Sequence, residues 1–213
     1  MGVKPLAPAL LAVAALLAAA PAADAGFAPR LSLMLDPASP HTAPAITATL
    51  TQPAGDTPAQ RFTLSFPAGF TLQHPRGVET CSARLRRARH CGRASEIGSL
   101  EAVAANGVRL RGSVNLARVG RARQIVALVR GVAGIPSQSF TGHARMGPSG
   151  APQLTLDGLP SLPLASLTIR LTGGPRGMLL TPAGCGPETV QGLLTSQLGE
   201  LAIGLAAVQI AGC

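Results

Sequence analysis

Apolar and polar residues alternate with a period of two in segment after segment of this chain, and that limits its fold more than any other feature. In "RFTLSF" (61–66), Phe62, Leu64 and Phe66 share one side, while Arg61, Thr63 and Ser65 share the other. "VRLRGSVNL" (108–116) sets Val108, Leu110, Val114 and Leu116 against Arg109, Arg111, Ser113 and Asn115. "AITATL" (45–50) turns Ile46, Ala48 and Leu50 inward, and "SLTIRL" (166–171) does so with Leu167, Ile169 and Leu171. Successive side chains of a strand point to opposite faces, so each segment has one wet and one dry face, as in antiparallel sheets. Proline and glycine separate the runs in "FPAGF", "GIPSQ", "GPSGAP", "LPSLP", "GGPRG" and "TPAGCGP". No long stretch follows the 3.6-residue period. The best helical candidate is the short segment after Cys81, where Ser82 is placed to cap one or two turns. The expectation is an all-β antiparallel sandwich of about ten short strands, with two disulfides and one short helical turn. Its core must be aliphatic, because the chain has no Trp or Tyr and only 5 Phe.

The first 25 residues stand apart from this pattern. Lys4 precedes an apolar run from Leu6 to Ala20, and Ala23-Asp24-Ala25 supplies a small-x-small cleavage pattern. That is the design of a secretory signal, too short and wrongly flanked for a membrane span. Cleavage after Ala25 leaves residues 26–213 as one β-sandwich domain with enough chain to bury a real core. No later run is long and apolar enough for a spanning helix. The expected product is exported, either extracellular or held to the cell envelope.

An exported chain with an even number of cysteines reads as a disulfide framework. Cys81, Cys91, Cys185 and Cys213 allow three pairings; spacing favours Cys81–Cys91, closing a local loop, and Cys185–Cys213. Close CxxC or CxxH pairs are missing, so neither a structural metal nor any cofactor is expected.

Charge raises the functional question. The sequence carries 18 Lys and Arg against 9 Asp and Glu, a net of +9. Losing Lys4 and Asp24 with the leader leaves 17 arginines against eight acids and the same net charge. Within the loop 81–91, "TCSARLRRARHC" concentrates Arg84, Arg86, Arg87 and Arg89, with Arg93 just beyond. A second group, Arg109, Arg111, Arg118, Arg121 and Arg123, falls on exposed strand faces and a turn. If the two meet in space, they form a patch for polyanions with a strong salt dependence. The plainer expectation is that arginine is the general solubilising residue of this chain and its charge is diffuse.

From "CGRASEIGSL" onward, and above all in "LPSLPLASLTIRLTGGPRGMLLTPAGCGPETVQGLLTS", the chain resembles an uncharacterised family of secreted proteins from high-G+C Gram-positive bacteria. Members share an "LPxGF"-like turn, a Cys…CPxxSxIG segment and a long LPxLP…GGPRG…CG block. The counterparts are "SFPAGF" (65–70), Cys81 to Gly98, and Leu159 to Ser196, so the resemblance spans most of residues 31–213. In the family the unit often recurs within larger surface-associated chains, whereas here it occurs once. Gly92 stands where proline is common, and the clamped loop is unusually rich in arginine. The resemblance implies a secreted, disulfide-bearing β domain and supplies no catalytic residues.

Catalytic constellations are missing. His41, His74, His90 and His143 sit in no nucleophile–base motif, and no G-x-S-x-G elbow occurs. Glu96 and Glu101 have opposite parity on a strand, so without a bulge they face opposite ways; Asp157 and Glu188 form a distant pair with nothing to recommend it. "GGPRG" (173–177) lacks the Lys-Ser/Thr ending of a phosphate loop and reads as a turn. Without Trp or Tyr, base-stacking and sugar-stacking platforms are also excluded, so no specific nucleic-acid partner is expected. The leading expectation is a secreted, non-enzymatic envelope or extracellular β module with a structural, spacer or adhesion role. The alternative is binding of anionic wall or host polysaccharide through Arg84, Arg86, Arg87, Arg89 and Arg93, and the remote one an extracellular hydrolase with an unrecognised site.

Overall fold

The computed structural model describes residues 26–119, 122–132 and 134–213. The leader expected over residues 1–25 lies outside them. In chain order the strands are β1 (Arg30–Asp36), β2 (Ala45–Thr51), β3 (Ala59–Ser65), β4 (Thr71–Leu72), β5 (Glu96–Ala104) and β6 (Arg109–Val119). They continue with β7 (Ala122–Val129), β8 (Gln138–Met146), β9 (Pro152–Asp157), β10 (Leu164–Leu171), β11 (Leu179–Leu180), β12 (Gly186–Ser196) and β13 (Leu201–Ile210). One short helix, α1 (Ala83–Arg87), lies between β4 and β5.

Eleven strands form a single antiparallel sheet in the order β1-β2-β10-β5-β6-β7-β8-β9-β3-β12-β13, and β4 pairs with β11 separately. The sheet curls so that β2 and β10 face β3 and β9 across the core. A cavity of about 40 Å³ between them is lined by Ile46, Ala48, Phe62, Leu64, Leu154 and Ile169, among others. The two layers of the expected sandwich are therefore parts of one continuous sheet that nearly closes on itself. Most of the inward sets read from the alternation are buried: Ile46, Ala48 and Leu50 on β2, Phe62 and Leu64 on β3, Leu110, Val114 and Leu116 on β6, and Leu167 and Leu171 on β10, while Val108 and Ile169 are half-buried at the margin of the core.

The two ends of the sheet order, β1 and β13, lie against each other without a ladder between them. Side chains close the seam instead. Gly192 on β12 and Gly204 on β13 are register partners. A Cβ at Gly204 would stand 2.9 Å from Leu31 Cβ, and one at Gly192 would stand 2.5 Å from Leu31 Cδ2. The glycine pair thus makes the notch into which Leu31 of β1 fits.

Both disulfides favoured by spacing are formed, Cys81–Cys91 and Cys185–Cys213, with Cα–Cα distances of 5.4 and 5.9 Å. The first rests on the outer face of the sheet, where Cys81, Ala117, Val126 and Leu128 form a small second core with Cys91 packed against it. This cover explains β7, whose "IVALV" (125–129) is buried on both faces and shows no alternation. It also explains Asn115. Parity places Asn115 on the wet face of β6, yet it is 1% exposed because the chain following the disulfide lies over it. Its amide is satisfied locally, with Nδ2 donating to Ser113 Oγ at 2.8 Å and Oδ1 accepting from Ser95 Oγ at 3.2 Å.

Candidate functional site

Ser82 caps α1 as its position suggested: its hydroxyl accepts from the Leu85 N–H at 3.3 Å. At the other end, His90 N–H donates to Leu85 O and Arg89 N–H donates to Arg86 O, each at 2.9 Å. This is the paired closure that requires a left-handed residue after the last helical turn, a position usually held by glycine. Here it is Arg89, at φ 52°. A non-glycine residue in that region carries strain of order 1 kcal/mol, and the reversal it makes sends the Arg89 side chain toward the sheet. There its Nη1 donates to the carbonyl of Ser137, in the connection between β7 and β8.

Between the clamped loop and the outer sheet face runs a broad, open cleft of about 1020 Å³. Five arginines line it, from four separate segments: Arg89 and Arg93 from the loop, Arg111 from β6, Arg130 just after β7, and Arg176 from the turn before β11. Glu96 is the one carboxylate among the lining residues, and His90 and Ser137 are also present. Among the described residues, none of the five arginines has a carboxylate within salt-bridge distance; the pairs formed are Arg61–Asp157, Arg109–Glu101 and His143–Asp157. Arg176 is partly occupied, since its Nη2 donates to the carbonyls of Glu96 at 2.6 Å and Arg93 at 3.4 Å. It braces the loop against the sheet from within the cleft. Five guanidinium groups against one carboxylate leave an excess of positive charge that concentrates anions in this space.

The five loop arginines therefore separate. Arg89 and Arg93 line the cleft. Arg86 is diverted to β7, where its Nη1 donates to Gln124 Oε1 at 3.3 Å. Arg84 and Arg87 are exposed and do not line the cleft. From the second group, Arg111 joins the cleft, Arg109 is paired with Glu101 at 3.7 Å, and Arg118 is exposed elsewhere. Arg121 and the side chain of Arg123 lie outside the described residues. Arg130 and Arg176 are the contributors that sequence reasoning missed. "GGPRG" is a turn as expected, and its role is to deliver Arg176: Gly173 passes so close to β2 that a Cβ there would meet Ala45 N at 2.4 Å, and Gly174 has φ 64°.

The catalytic alternatives gain little from the geometry. A register shift does intervene between Glu96 and Gly98, but Glu101 is held by Arg109 and does not line the cleft with Glu96. Asp157 lies in register with Arg61, and Arg61 with Thr195 on β12. Glu188 is seven residues further along that strand, roughly 23 Å away at the rise of a β-strand. His143 Nδ1 lies 3.9 Å from Asp157 Oδ2, beyond hydrogen-bond distance, and Arg61 already holds that carboxylate. Neither residue lines either cavity described above. Among the described residues, no group of three His, Cys, Asp or Glu could hold a metal ion, and no helix is long and apolar enough to cross a membrane. No protein-family model matches this chain, and no curated protein matches it.

Proposed function

We propose that this chain is an exported, non-enzymatic β module that attaches to an anionic polymer, a wall or host polysaccharide, through its arginine cleft. The observation that carries this reading is the convergence of Arg89, Arg93, Arg111, Arg130 and Arg176 on one cleft, with no carboxylate of the described residues within salt-bridge distance of any of them. A merely solubilising set of arginines has no reason to be gathered from four segments against its own repulsion. Export is supported by the apolar leader and by two disulfides, which persist in oxidising compartments. The resemblance to secreted, surface-associated β units points the same way. Attachment of this kind serves adhesion or spacing at an envelope without any chemistry on the polymer. With neither Trp nor Tyr in the chain, recognition is electrostatic and hydrogen-bonding, with guanidinium forks meeting carboxylate, sulfate or phosphate groups.

Retention on a heparin or wall-polymer column tests the reading. Arg89→Ser, Arg93→Ser, Arg111→Ser and Arg130→Ser combined should elute at much lower salt than wild type. Arg84→Ser, Arg87→Ser, Arg145→Ser and Arg170→Ser combined remove the same charge from exposed positions outside the cleft, and should change elution far less. Equal shifts from the two sets would mean that the charge acts diffusely and the cleft is not a site.

A further inference from the structure

Two of the cleft arginines stand directly opposite each other. Gly112 of β6 pairs with Val129 of β7, and the ladder continues one step further, where the Arg130 N–H donates to Arg111 O at 3.0 Å. Arg111 and Arg130 are therefore cross-strand neighbours, with Cβ atoms about 4.5–5.5 Å apart. Both are exposed, and both line the cleft. Like charges set opposite each other on a sheet are destabilising, and no carboxylate of the described residues lies within salt-bridge distance of either. Glu101 of β5 is in register with Arg111 on its other side, yet its carboxylate lies 3.7 Å from Arg109 instead.

The backbone beneath this pair is closely fixed. At Gly112, next to Arg111, a Cβ would stand 2.3 Å from Leu128 O, so β6 and β7 approach there as only glycine allows. Just past Arg130, the Gly131 N–H donates to Ser137 Oγ at 3.0 Å, and a Cβ at Gly131 would stand 2.6 Å from Ile135 O. Val132 and Ile135 then exchange backbone hydrogen bonds at 3.0 and 2.8 Å. Both arginine stems thus rise from pinned positions, while their charged heads stay open to solvent.

We propose, resting on the polymer-binding reading above, that Arg111 and Arg130 form a clamp for one sulfate or phosphate monoester group of the polymer. A carboxylate has two oxygens along one edge, and a single guanidinium fork occupies that edge. A sulfate or phosphate monoester presents three terminal oxygens, so two forks on neighbouring strands can bond the same group. Its negative charge offsets the repulsion between them, which the protein itself leaves uncompensated. The clamp sets which charged group the cleft prefers, and the other arginines draw in polyanions of any kind. A sulfated host polysaccharide and a phosphorylated wall polymer share this chemistry.

Binding of the full exported chain to three dextrans of matched charge density, bearing sulfate, phosphate or carboxymethyl groups, tests the clamp. Wild type should bind the sulfate or the phosphate dextran about tenfold more tightly than the carboxymethyl one, and the tighter of the two identifies the source. Arg130→Lys keeps the charge and loses the fork, so it should remove that preference while changing carboxymethyl-dextran binding by less than about twofold. Arg111→Lys should do the same, and Arg84→Lys, outside the cleft, should change neither. Equal wild-type affinity for all three dextrans would overturn the clamp and leave polymer binding standing. So would a preference that survives both cleft substitutions with the fold intact by circular dichroism. No binding to any of the three would overturn both.

Discussion

The clamped-loop face and the β12–β13 end of this sheet treat exposure in opposite ways. On the first, a loop with little apolar content of its own is pinned by Cys81–Cys91 over a small second core, and arginines from distant segments are gathered beside it. On the second, charge is absent along the whole of β13, bulky aliphatics face solvent, and closure depends on one leucine in a glycine notch. The comparison teaches that position in the sheet, more than composition, sets what a surface can do. β6 and β7 lie mid-sheet with their backbone groups paired on both sides, so they provide a rigid platform for side-chain recognition. β13 lies at an end of the sheet order, against β1 without a ladder, so its placement rests on side-chain packing at the seam.

The sharpest way to separate the two regions is to cut their disulfides one at a time. Cys185→Ser with Cys213→Ser opens a bridge spanning 28 residues, and should lower unfolding free energy by about 3.5 kcal/mol on the chain-entropy scale. Polymer binding below the melting transition should be unchanged. Cys81→Ser with Cys91→Ser opens a span of 10 residues, at a cost of about 2.7 kcal/mol. That smaller loss should nonetheless weaken polymer retention, because Arg89 and Arg93 lose their placement. Denaturant melts and column elution of wild type and these two variants make the comparison, and it breaks if binding follows stability alone.

A smaller effect should distinguish the seam from the platform. Gly192→Val drives a side chain into Leu31 Cδ2 and should cost about 1–3 kcal/mol through overpacking. Leu31→Ala in the same molecule removes that atom and should recover part of the loss, giving a double-mutant coupling between β1 and β12. Additive losses would mean that Leu31 does not close the barrel.

The smallest expected shift carries opposite signs for stability and function. Arg89→Gly relieves a left-handed backbone at φ 52°, so the melt should show a gain of up to about 1 kcal/mol, less the hydrogen bond to Ser137. The same variant should bind polymer more weakly. Weaker binding without lost stability would identify Arg89 as a residue retained for its side chain; unchanged binding would make it an accident of the loop.

Local features of this molecule were legible in its sequence, and long-range ones were not. Alternation in "RFTLSF" and "SLTIRL" reports which side faces the core whatever the strand pairs with, and Ser82 caps α1 through contacts three residues away. The cleft had no such local signature. Arg130 reaches it because the β6–β7 pairing sets it beside Arg111, and Arg176 because the strand order brings β5 and β10 together and folds the turn after β10 over the loop. Arg86 left the group because Gln124 on β7 accepts its guanidinium, a contact across 38 residues. One signal went unused: the unbroken apolar run Ile125–Val129 betrays a strand covered on both faces, and so a covering element beside the loop.

A titration of a heparin fragment against salt tests the central claim most directly. If the cleft grips the polymer through Arg89, Arg93, Arg111 and Arg130, the slope of log K against log salt should be shallower by about 3 in the variant lacking all four, at roughly 0.7–0.9 for each ion pair lost. Identical slopes for wild type and variant would contradict the account.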